Sequence, residues 1–232
     1  MLLDSEDKAD MMHISCKINF LMTIMALSAL LVNPVRADAA QKTILAFGDS
    51  LTSGYGLSPK DSFPAQLERK LKEQGYDITV INAGAAGETT SGGATRLEWT
   101  LEQKKPDFVI LELGGNDMLR AIDPEITFNN LHKMMEILKK HEIPVLLAGM
   151  KADPNLGEKF EIIYSVMYER LAEKYNAVYY PFFLEGVFSR SGLFQKNGMH
   201  PNAEGVAVIV HNILPFVEKL LTLTPPPRTL PE

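Results

Sequence analysis

Five short apolar runs recur along the chain at intervals of about thirty residues, the length of a strand–helix unit. Each run is rich in Val, Ile, Leu and aromatic residues and is bounded by Gly, Pro, Asn or Asp, which is typical of strands. Their apolar character is continuous rather than alternating, and this predicts strands that are buried on both faces. The runs cover residues 43–47, 77–82, 107–113, 144–149 and 177–182.

Amphipathic segments separate the predicted strands. Their apolar residues repeat every three or four positions, which is typical of helices that pack by one face; the clearest are 63–75, 124–143, 159–176 and 202–221. Strands that alternate with helices predict an α/β fold with a parallel sheet covered on both faces. Ligands bind such sheets beyond the carboxyl ends of the strands, so we expect functional residues in the loops that follow the strands.

Composition excludes several classes of protein. Apolar residues make up 46% of the chain and charged residues 22%, which is typical of a globular protein. The net charge of −6 offers no basic surface for nucleic acid, so we expect no nucleic-acid partner. The histidines lack zinc-site spacing, and the only cysteine, Cys16, lies in the N-terminal segment. We therefore expect no metal site.

The first forty residues differ from the rest. An apolar stretch over residues 18–32 is followed by Ala37-Asp38-Ala39, which fits a cleavage site of small residues. This stretch is short for a membrane span, which needs about 20 residues. The pattern predicts a cleavable signal peptide over residues 1–39, cleavage near Ala39, and a periplasmic or secreted protein; an uncleaved anchor is the alternative. The acidic first ten residues are unusual for a signal peptide, so Met11 or Met12 is an alternative translation start.

The remaining length suits one domain, which we place at residues 40–223. The last residues, 224–232, are rich in proline and predict an extended tail outside the fold.

Ser50 follows the first predicted strand, in the segment FGDSLTSGYG. A serine nucleophile needs a base, a group that orients the base, and donors for the developing oxyanion. A helix that begins at this serine would direct its backbone N–H groups toward an acyl oxygen. Taken alone, the Asp–Ser pair fits a turn or a helix cap equally well.

Two further polar loops follow the next two strands. Gly87 lies in AGAAGETTSGG and is suited to offer its N–H at close range, while Asn116 lies in GGNDM and carries a side-chain amide suited to bind an oxyanion. Each segment also fits an ordinary turn. Their occurrence after consecutive strands favours a site at this edge of the sheet.

Four segments occur in order: FGDSLTSGYG, NAGAAGETTSGG, LELGGNDMLR and NGMHPNAEG. They resemble the four sequence blocks of the GDSL/SGNH hydrolase family, above all the bacterial enzymes described as thioesterase I, lysophospholipase L1 or arylesterase. The resemblance extends over residues 42–221. It implies a flavodoxin-like three-layer α/β/α sandwich with a five-stranded parallel sheet, in agreement with the strand–helix pattern.

The resemblance also implies roles for individual residues. Ser50 would be the nucleophile and His200 the general base, and the oxyanion hole would consist of the N–H groups of Ser50 and Gly87 and the side chain of Asn116. No metal or organic cofactor is implied. The implied activity is that of an exported serine esterase or thioesterase, acting on small acyl esters, acyl thioesters or lysophospholipids through an acyl-enzyme. Transient contact with membrane lipid and a monomer or weak homo-oligomer are expected.

The last block departs from the family pattern. The family has D-x-x-H, and here Asn197 takes the place of the aspartate. An amide carries no charge to stabilise an imidazolium, and it can favour the wrong histidine tautomer. Asn197 also precedes Gly198, a pair prone to spontaneous deamidation, so slow conversion to aspartate is a further hypothesis.

Three alternatives follow from this departure. In the first, Ser50 and His200 suffice as a dyad, and a backbone carbonyl or a water holds the ring. In the second, another carboxylate reaches His200. In the third, the site is weakened or inactive. The candidate carboxylates are Asp153, Glu185 and Glu204.

Apolar side chains after the third and fourth strands predict an acyl-binding pocket. The candidates are Met118, Leu119, Ile122, Met150, Leu156, Phe160 and Tyr164. Two other functions remain open. A carbohydrate O-deacetylase would need aromatic sugar-binding walls, but the only tryptophan, Trp99, lies in a predicted helix away from the strand ends. A protein that binds acyl groups without turnover would follow from a weakened site.

Overall fold

The computed structural model describes residues 41–152 and 154–225. The predicted signal peptide over residues 1–39, most of the predicted tail (226–232) and Asp153 lie outside the described residues.

Five parallel strands form a single sheet in the order β2-β1-β3-β4-β5. Each of the five predicted runs contributes one strand, and the interiors of the three central strands are buried, which explains their continuous apolar sequences. The strands are β1 (Lys42–Gly48), β2 (Ile78–Gly84), β3 (Phe108–Glu112), β4 (Val145–Ala148) and β5 (Val178–Tyr180).

Seven α-helices in the described residues connect the strands and follow the last one. They are α1 (Ser50–Ser53), α2 (Phe63–Glu73), α3 (Thr90–Lys104), α4 (Gly115–Leu119), α5 (Pro124–Lys140), α6 (Glu158–Tyr175) and α7 (Ala203–Leu221). Helices α2 and α7 pack together, and α5 packs against both α3 and α6. The predicted α/β fold, a sandwich of helix, sheet and helix layers, is confirmed. In the part of the chain that the structure describes, no helix is long and apolar enough to span a membrane.

Local sequence explains where two of the long helices, α5 and α7, begin. The Asp123 side chain accepts a hydrogen bond from the Glu125 N–H at 3.0 Å and caps α5. The Asn202 side chain accepts one from the Gly205 N–H at 2.9 Å and caps α7, which continues through Pro215. The start of α7 is therefore fixed directly after the NGMHP segment.

The register of the sheet brings three loops together. Gly48, at the end of β1, pairs with Gly84 at the end of β2 and with Glu112 at the end of β3. A Cβ atom on Gly84 would lie 2.3 Å from the backbone nitrogen of Ser53, so only glycine allows α1 to pack this closely on the end of β2. The segments that follow β1, β2 and β3 consequently meet at one edge of the sheet.

Candidate active site

Ser50 is the first residue of α1 and is half-buried. The Asp49 side chain caps this short helix by accepting a hydrogen bond from the Leu51 N–H at 2.9 Å. Gly54 ends the helix in the left-handed conformation, with φ at +77°. The serine is therefore held in a tight strand-to-helix turn.

His200 lies in the loop before α7, and this loop is anchored from two sides. The Gln195 N–H donates to the His200 carbonyl at 2.8 Å. The Gln195 side-chain amide donates to the Tyr55 carbonyl at 2.8 Å and to the Pro201 carbonyl at 2.9 Å. Gln195 thus joins the histidine loop to the chain that follows the serine helix.

The two residues meet although they are far apart in sequence. Nε2 of His200 lies 3.0 Å from Oγ of Ser50, within hydrogen-bond distance. The Tyr55 ring packs against the imidazole, with 4.9 Å between ring centroids. Burial lowers the pKa of His200, which keeps the imidazole neutral and able to accept a proton.

Asn197 lies on the other side of the imidazole. Its Nδ2 is 3.0 Å from Nδ1 of His200, and its Oδ1 accepts hydrogen bonds from the backbone N–H groups of Met199 and His200, both at 3.0 Å. These two donors fix the orientation of the amide, because a flipped amide would place its NH2 group against them. Nδ2 therefore donates to Nδ1, and the neutral imidazole carries its proton on Nε2, the nitrogen that faces the serine.

The alternative carboxylates do not take the place of an aspartate. The Glu185 carboxylate pairs with the Lys151 ammonium at 3.8 Å, and Glu204 is exposed in the first turn of α7. Within residues 41–152 and 154–225, no carboxylate hydrogen-bonds His200; Asp153 lies outside these residues.

Three candidate oxyanion donors line the same cavity as Ser50 Oγ. Gly87 has φ at +76°, a conformation that favours glycine. The N–H groups of Ser50 and Gly87 donate to no residue in the described part of the chain. Asn116 Nδ2, by contrast, donates to Oδ2 of Asp49 at 2.8 Å and to the Glu88 carbonyl at 3.0 Å. Asn116 can therefore contribute only by sharing a hydrogen that already has an acceptor.

Two buried carboxyl groups lie beneath the serine turn. Burial raises the pKa of Asp49 to about 6, against opposing hydrogen bonds from Leu51 and Asn116. Burial and the nearby charge of Asp49 raise the pKa of Glu112 well above its usual value. Glu112 accepts a hydrogen bond from the Thr52 hydroxyl at 2.6 Å, while its Oε1 is buried without a partner. Glu112, the last residue of β3, therefore packs against α1 in surroundings that disfavour its ionised form.

A guanidinium supports the loop that carries Gly87. Arg96, on α3, pairs with the Glu88 carboxylate through Nε at 2.7 and 2.8 Å and also through Nη2. The same Nη2 donates to the carbonyls of Ala83, at 2.8 Å, and Gly48, at 3.3 Å. Arg96 thereby connects this loop to the ends of β1 and β2.

The site opens into a cavity of about 980 Å³. Three of the seven predicted acyl-pocket residues line it: Met118, Leu119 and Met150. The remaining four, Ile122, Leu156, Phe160 and Tyr164, are not among the residues that line it.

Two of these four residues lie on α6. Tyr164 is buried, and its hydroxyl donates to the Gly114 carbonyl at 3.0 Å, so this ring supports the sheet edge from below. Phe160 stacks on Tyr164, with ring centroids 6.2 Å apart, and packs against the core. Ile122 and Leu156 occupy turns outside the cavity wall.

Another part of the cavity wall was not predicted from the sequence. It comes from the chain around the histidine, where Leu184, Phe188, Phe194 and Met199 contribute apolar surface. These residues lie in a long loop, so no periodic sequence pattern identifies them. Trp99 is exposed on α3 and does not line the cavity.

No group of three metal-ligating side chains occurs among the residues that the structure describes. The polar groups that line the cavity include the Ser50 hydroxyl, the His200 imidazole and several amides, and these suit acyl transfer.

Residues 46–208 match the family model described as GDSL-like Lipase/Acylhydrolase. The esterase TesA of Pseudomonas aeruginosa is 36% identical over 184 residues, covering 79% of this chain and 92% of the relative. The protein named thioesterase 1/protease 1/lysophospholipase L1 of Escherichia coli K12 is 34% identical over 166 residues, covering 72% and 78%. The crystal structure of AlinE4, an SGNH-hydrolase family esterase, is similar at a TM-score of 0.66 and 45% identity, covering 78% of this chain and 97% of that one.

The fold and the residues at the strand ends define an α/β acyl hydrolase. The chain belongs to the GDSL-like lipase/acylhydrolase family, as the resemblance of its four segments predicted. It is a hydrolase of ester or thioester bonds.

Proposed function

We propose that the protein hydrolyses small acyl esters and thioesters with Ser50 as nucleophile and His200 as general base. The observation that carries this proposal is the 3.0 Å approach of His200 Nε2 to Ser50 Oγ at the wall of an apolar cavity. A hydroxyl beside a neutral imidazole, facing free backbone N–H groups, is the arrangement that acyl transfer requires.

The reaction proceeds in two halves. Ser50 Oγ attacks the acyl carbon while its proton passes to Nε2 of His200, and the N–H groups of Ser50 and Gly87 bind the oxyanion. The imidazolium then protonates the departing alkoxide or thiolate. Water, deprotonated by the same nitrogen, hydrolyses the acyl-enzyme and releases the acid.

Asn197 limits the first half. Nε2 can accept the serine proton only when the imidazole proton is on Nδ1, but the Asn197 amide donates to Nδ1 and favours the opposite tautomer. Rotating the amide would sacrifice the two backbone hydrogen bonds at Oδ1. We therefore propose a working but slow enzyme: the same replacement of Asp by Asn in a serine protease triad lowers turnover about 10⁴-fold.

The cavity supports acyl substrates rather than bulky polar ones. Met118 and Met150 contribute flexible apolar surface to its wall, and Phe188 and Phe194 contribute aromatic surface. A volume of about 980 Å³ accommodates an acyl chain together with part of its leaving group.

Export and contact with lipid belong to the same proposal. Four side chains at the cavity (Tyr55, Leu119, Phe188 and Met199) are each more than half exposed, and such an apolar rim suits brief contact with a lipid surface. A predicted signal peptide before residue 40 supports a location outside the cytoplasm. Separating the cell fractions and sequencing the mature N-terminus would test the location.

The decisive experiment compares hydrolysis of a short-chain nitrophenyl ester by residues 40–232 with that by the Ser50→Ala and Asn197→Asp variants. We expect slow turnover by the native sequence, none by Ser50→Ala and fast turnover by Asn197→Asp. A fluorophosphonate should label the native chain only at Ser50. If Asn197→Asp folds but neither hydrolyses the ester nor reacts with the fluorophosphonate, the serine mechanism is wrong. The protein would then bind acyl groups without hydrolysing them.

A further inference from the structure

The turn that carries Asn197 is open to chemical change. Asn197–Gly198 is the only Asn–Gly pair in the sequence, and both residues are exposed. Gly198 has φ at +66°, and a Cβ atom built on it would meet nothing within 4 Å. The turn is therefore open to water, and no neighbouring side chain crowds Gly198.

The surroundings of the amide also favour attack on its carbon. The N–H groups of Met199 and His200, both 3.0 Å from Oδ1, would stabilise negative charge on this oxygen as Cγ is attacked. The backbone contacts that hold the amide in the unproductive orientation would thus also activate it for attack.

We propose that Asn197 is a modification site at which spontaneous deamidation creates the catalytic carboxylate. The Gly198 nitrogen loses its proton and bonds to Cγ of Asn197, the bond from Cγ to Nδ2 breaks, and ammonia leaves. Water then opens the resulting succinimide ring. Opening at Cγ gives an aspartate in the normal chain, whereas opening at the main-chain carbonyl gives an isoaspartate. The net change consumes one water and releases one ammonia without oxidation or reduction.

A carboxylate at position 197 corrects the tautomer. One oxygen retains the hydrogen bonds from the backbone N–H groups of Met199 and His200, and the other accepts a hydrogen bond from the Nδ1–H of His200. Nε2 is then free to accept the Ser50 proton, and the imidazolium gains a negative partner. The protein would therefore become more active with age. This inference rests on the proposed serine mechanism.

The turn also limits the rate of the change. The Gly198 N–H donates to the Gln195 carbonyl at 2.9 Å, and this bond must open before the nitrogen can attack. Maturation is consequently slow compared with folding, and it accelerates at alkaline pH because the nucleophile is the deprotonated nitrogen.

The experiment follows freshly purified native protein during incubation in mildly alkaline buffer. Peptide mapping records the mass gain of the fragment that contains position 197 and separates aspartate from isoaspartate, while nitrophenyl ester turnover is measured on the same samples. We expect turnover to rise at least about tenfold, in proportion to normal aspartate, toward the rate of Asn197→Asp; the serine protease precedent sets an upper bound of about 10⁴-fold.

Three variants serve as controls. Asn197→Asp should begin fast and stay constant, and Ser50→Ala should gain mass without gaining activity. Gly198→Asn tolerates the positive φ but hinders ring closure, so its activity should stay constant over the same period. If Asn197→Asp is active, two results overturn the inference and leave the serine mechanism standing. One is an unchanged mass at position 197, and the other is a mass gain with flat or falling turnover. An inactive Asn197→Asp variant overturns the serine mechanism and, with it, the activating role of deamidation.

Discussion

The side-chain nitrogen of Asn197 lies 3.0 Å from Nδ1 of His200 and acts as the donor in this contact, because Oδ1 of the same amide already accepts two backbone N–H groups. The distances are thus those of a catalytic triad, but the hydrogen bond between residue 197 and Nδ1 of His200 runs in the opposite direction. Distances alone would suggest a complete triad, but the direction of this single hydrogen bond determines which ring nitrogen is free.

Asn197→Asp should raise kcat by about 10² to 10⁴, with KM little changed, because it corrects the tautomer without altering the cavity. Steady-state kinetics on a short-chain nitrophenyl ester would measure the change. Glu185→Gln and Glu204→Gln are matched controls, since neither carboxylate contacts His200, and both should leave kcat unchanged. A loss of kcat in either control would assign the orienting role to that glutamate instead.

The pH profile of kcat/KM should contain an acidic limb that reports the pKa of His200. This pKa should lie below the usual histidine value of 6.5, because burial lowers it. The base works in its neutral form, so activity is retained as pH falls toward this lowered pKa and is lost beneath it. Asn197→Asp should shift the limb to higher pH, since a carboxylate stabilises the imidazolium. An unchanged limb in that variant would mean that the new carboxylate does not contact the ring.

Glu112→Gln should make stability less dependent on pH. The pKa of Glu112 in the folded protein lies above its unfolded value of 4.5, because burial and Asp49 disfavour its ionisation. Its contribution to stability is therefore fully present below the unfolded pKa and is lost as pH rises through the folded pKa. Urea denaturation should show that the free energy of unfolding of the variant rises relative to that of the native protein as pH increases above 4.5. Glu102→Gln, an exposed change on α3, should reproduce the native profile.

Arg96→Lys should lower kcat between about tenfold and 10²-fold, because a lysine cannot hold the Glu88 carboxylate and the strand-end carbonyls together, and the Gly87 loop would shift. KM should change little if the loss is one of oxyanion stabilisation. The matched control is Arg69→Lys, whose native guanidinium donates to the Lys60 carbonyl on the exposed surface. If Arg96→Lys and Arg69→Lys have equal kcat and equal free energies of unfolding, Arg96 does not position the Gly87 loop for catalysis.

Phe188→Ser should weaken adsorption to phosphatidylglycerol vesicles by about tenfold to 10²-fold, since burial of a phenylalanine side chain is worth about 1.5–3 kcal/mol. Phe188 lines the cavity and is 66% exposed. Ile162→Ser removes a comparably exposed side chain (55%) that lies on α6 outside the cavity. Vesicle co-sedimentation should therefore separate the two variants. Equal adsorption by both would locate any lipid contact away from the cavity rim.

Local physical rules were enough to predict much of this protein from its sequence. Continuous apolar runs identified the five strands because a strand buried on both faces has no polar side to alternate with. The rule that parallel sheets bind ligands at their carboxyl ends then directed attention to Ser50, Gly87 and Asn116, which the structure places around one cavity.

Tertiary structure decided the features that depend on residues distant in sequence. Tyr164 could not be assigned from its local pattern, because whether a side chain on α6 faces the cavity or the core depends on how that helix packs. The cavity wall around Phe188 depends on a long loop that Gln195 fastens to Tyr55. The sequence alone could state that Asn197 replaces an aspartate. The fold fixed the consequence, because the two backbone N–H groups that hold Oδ1 determine which end of the amide faces His200.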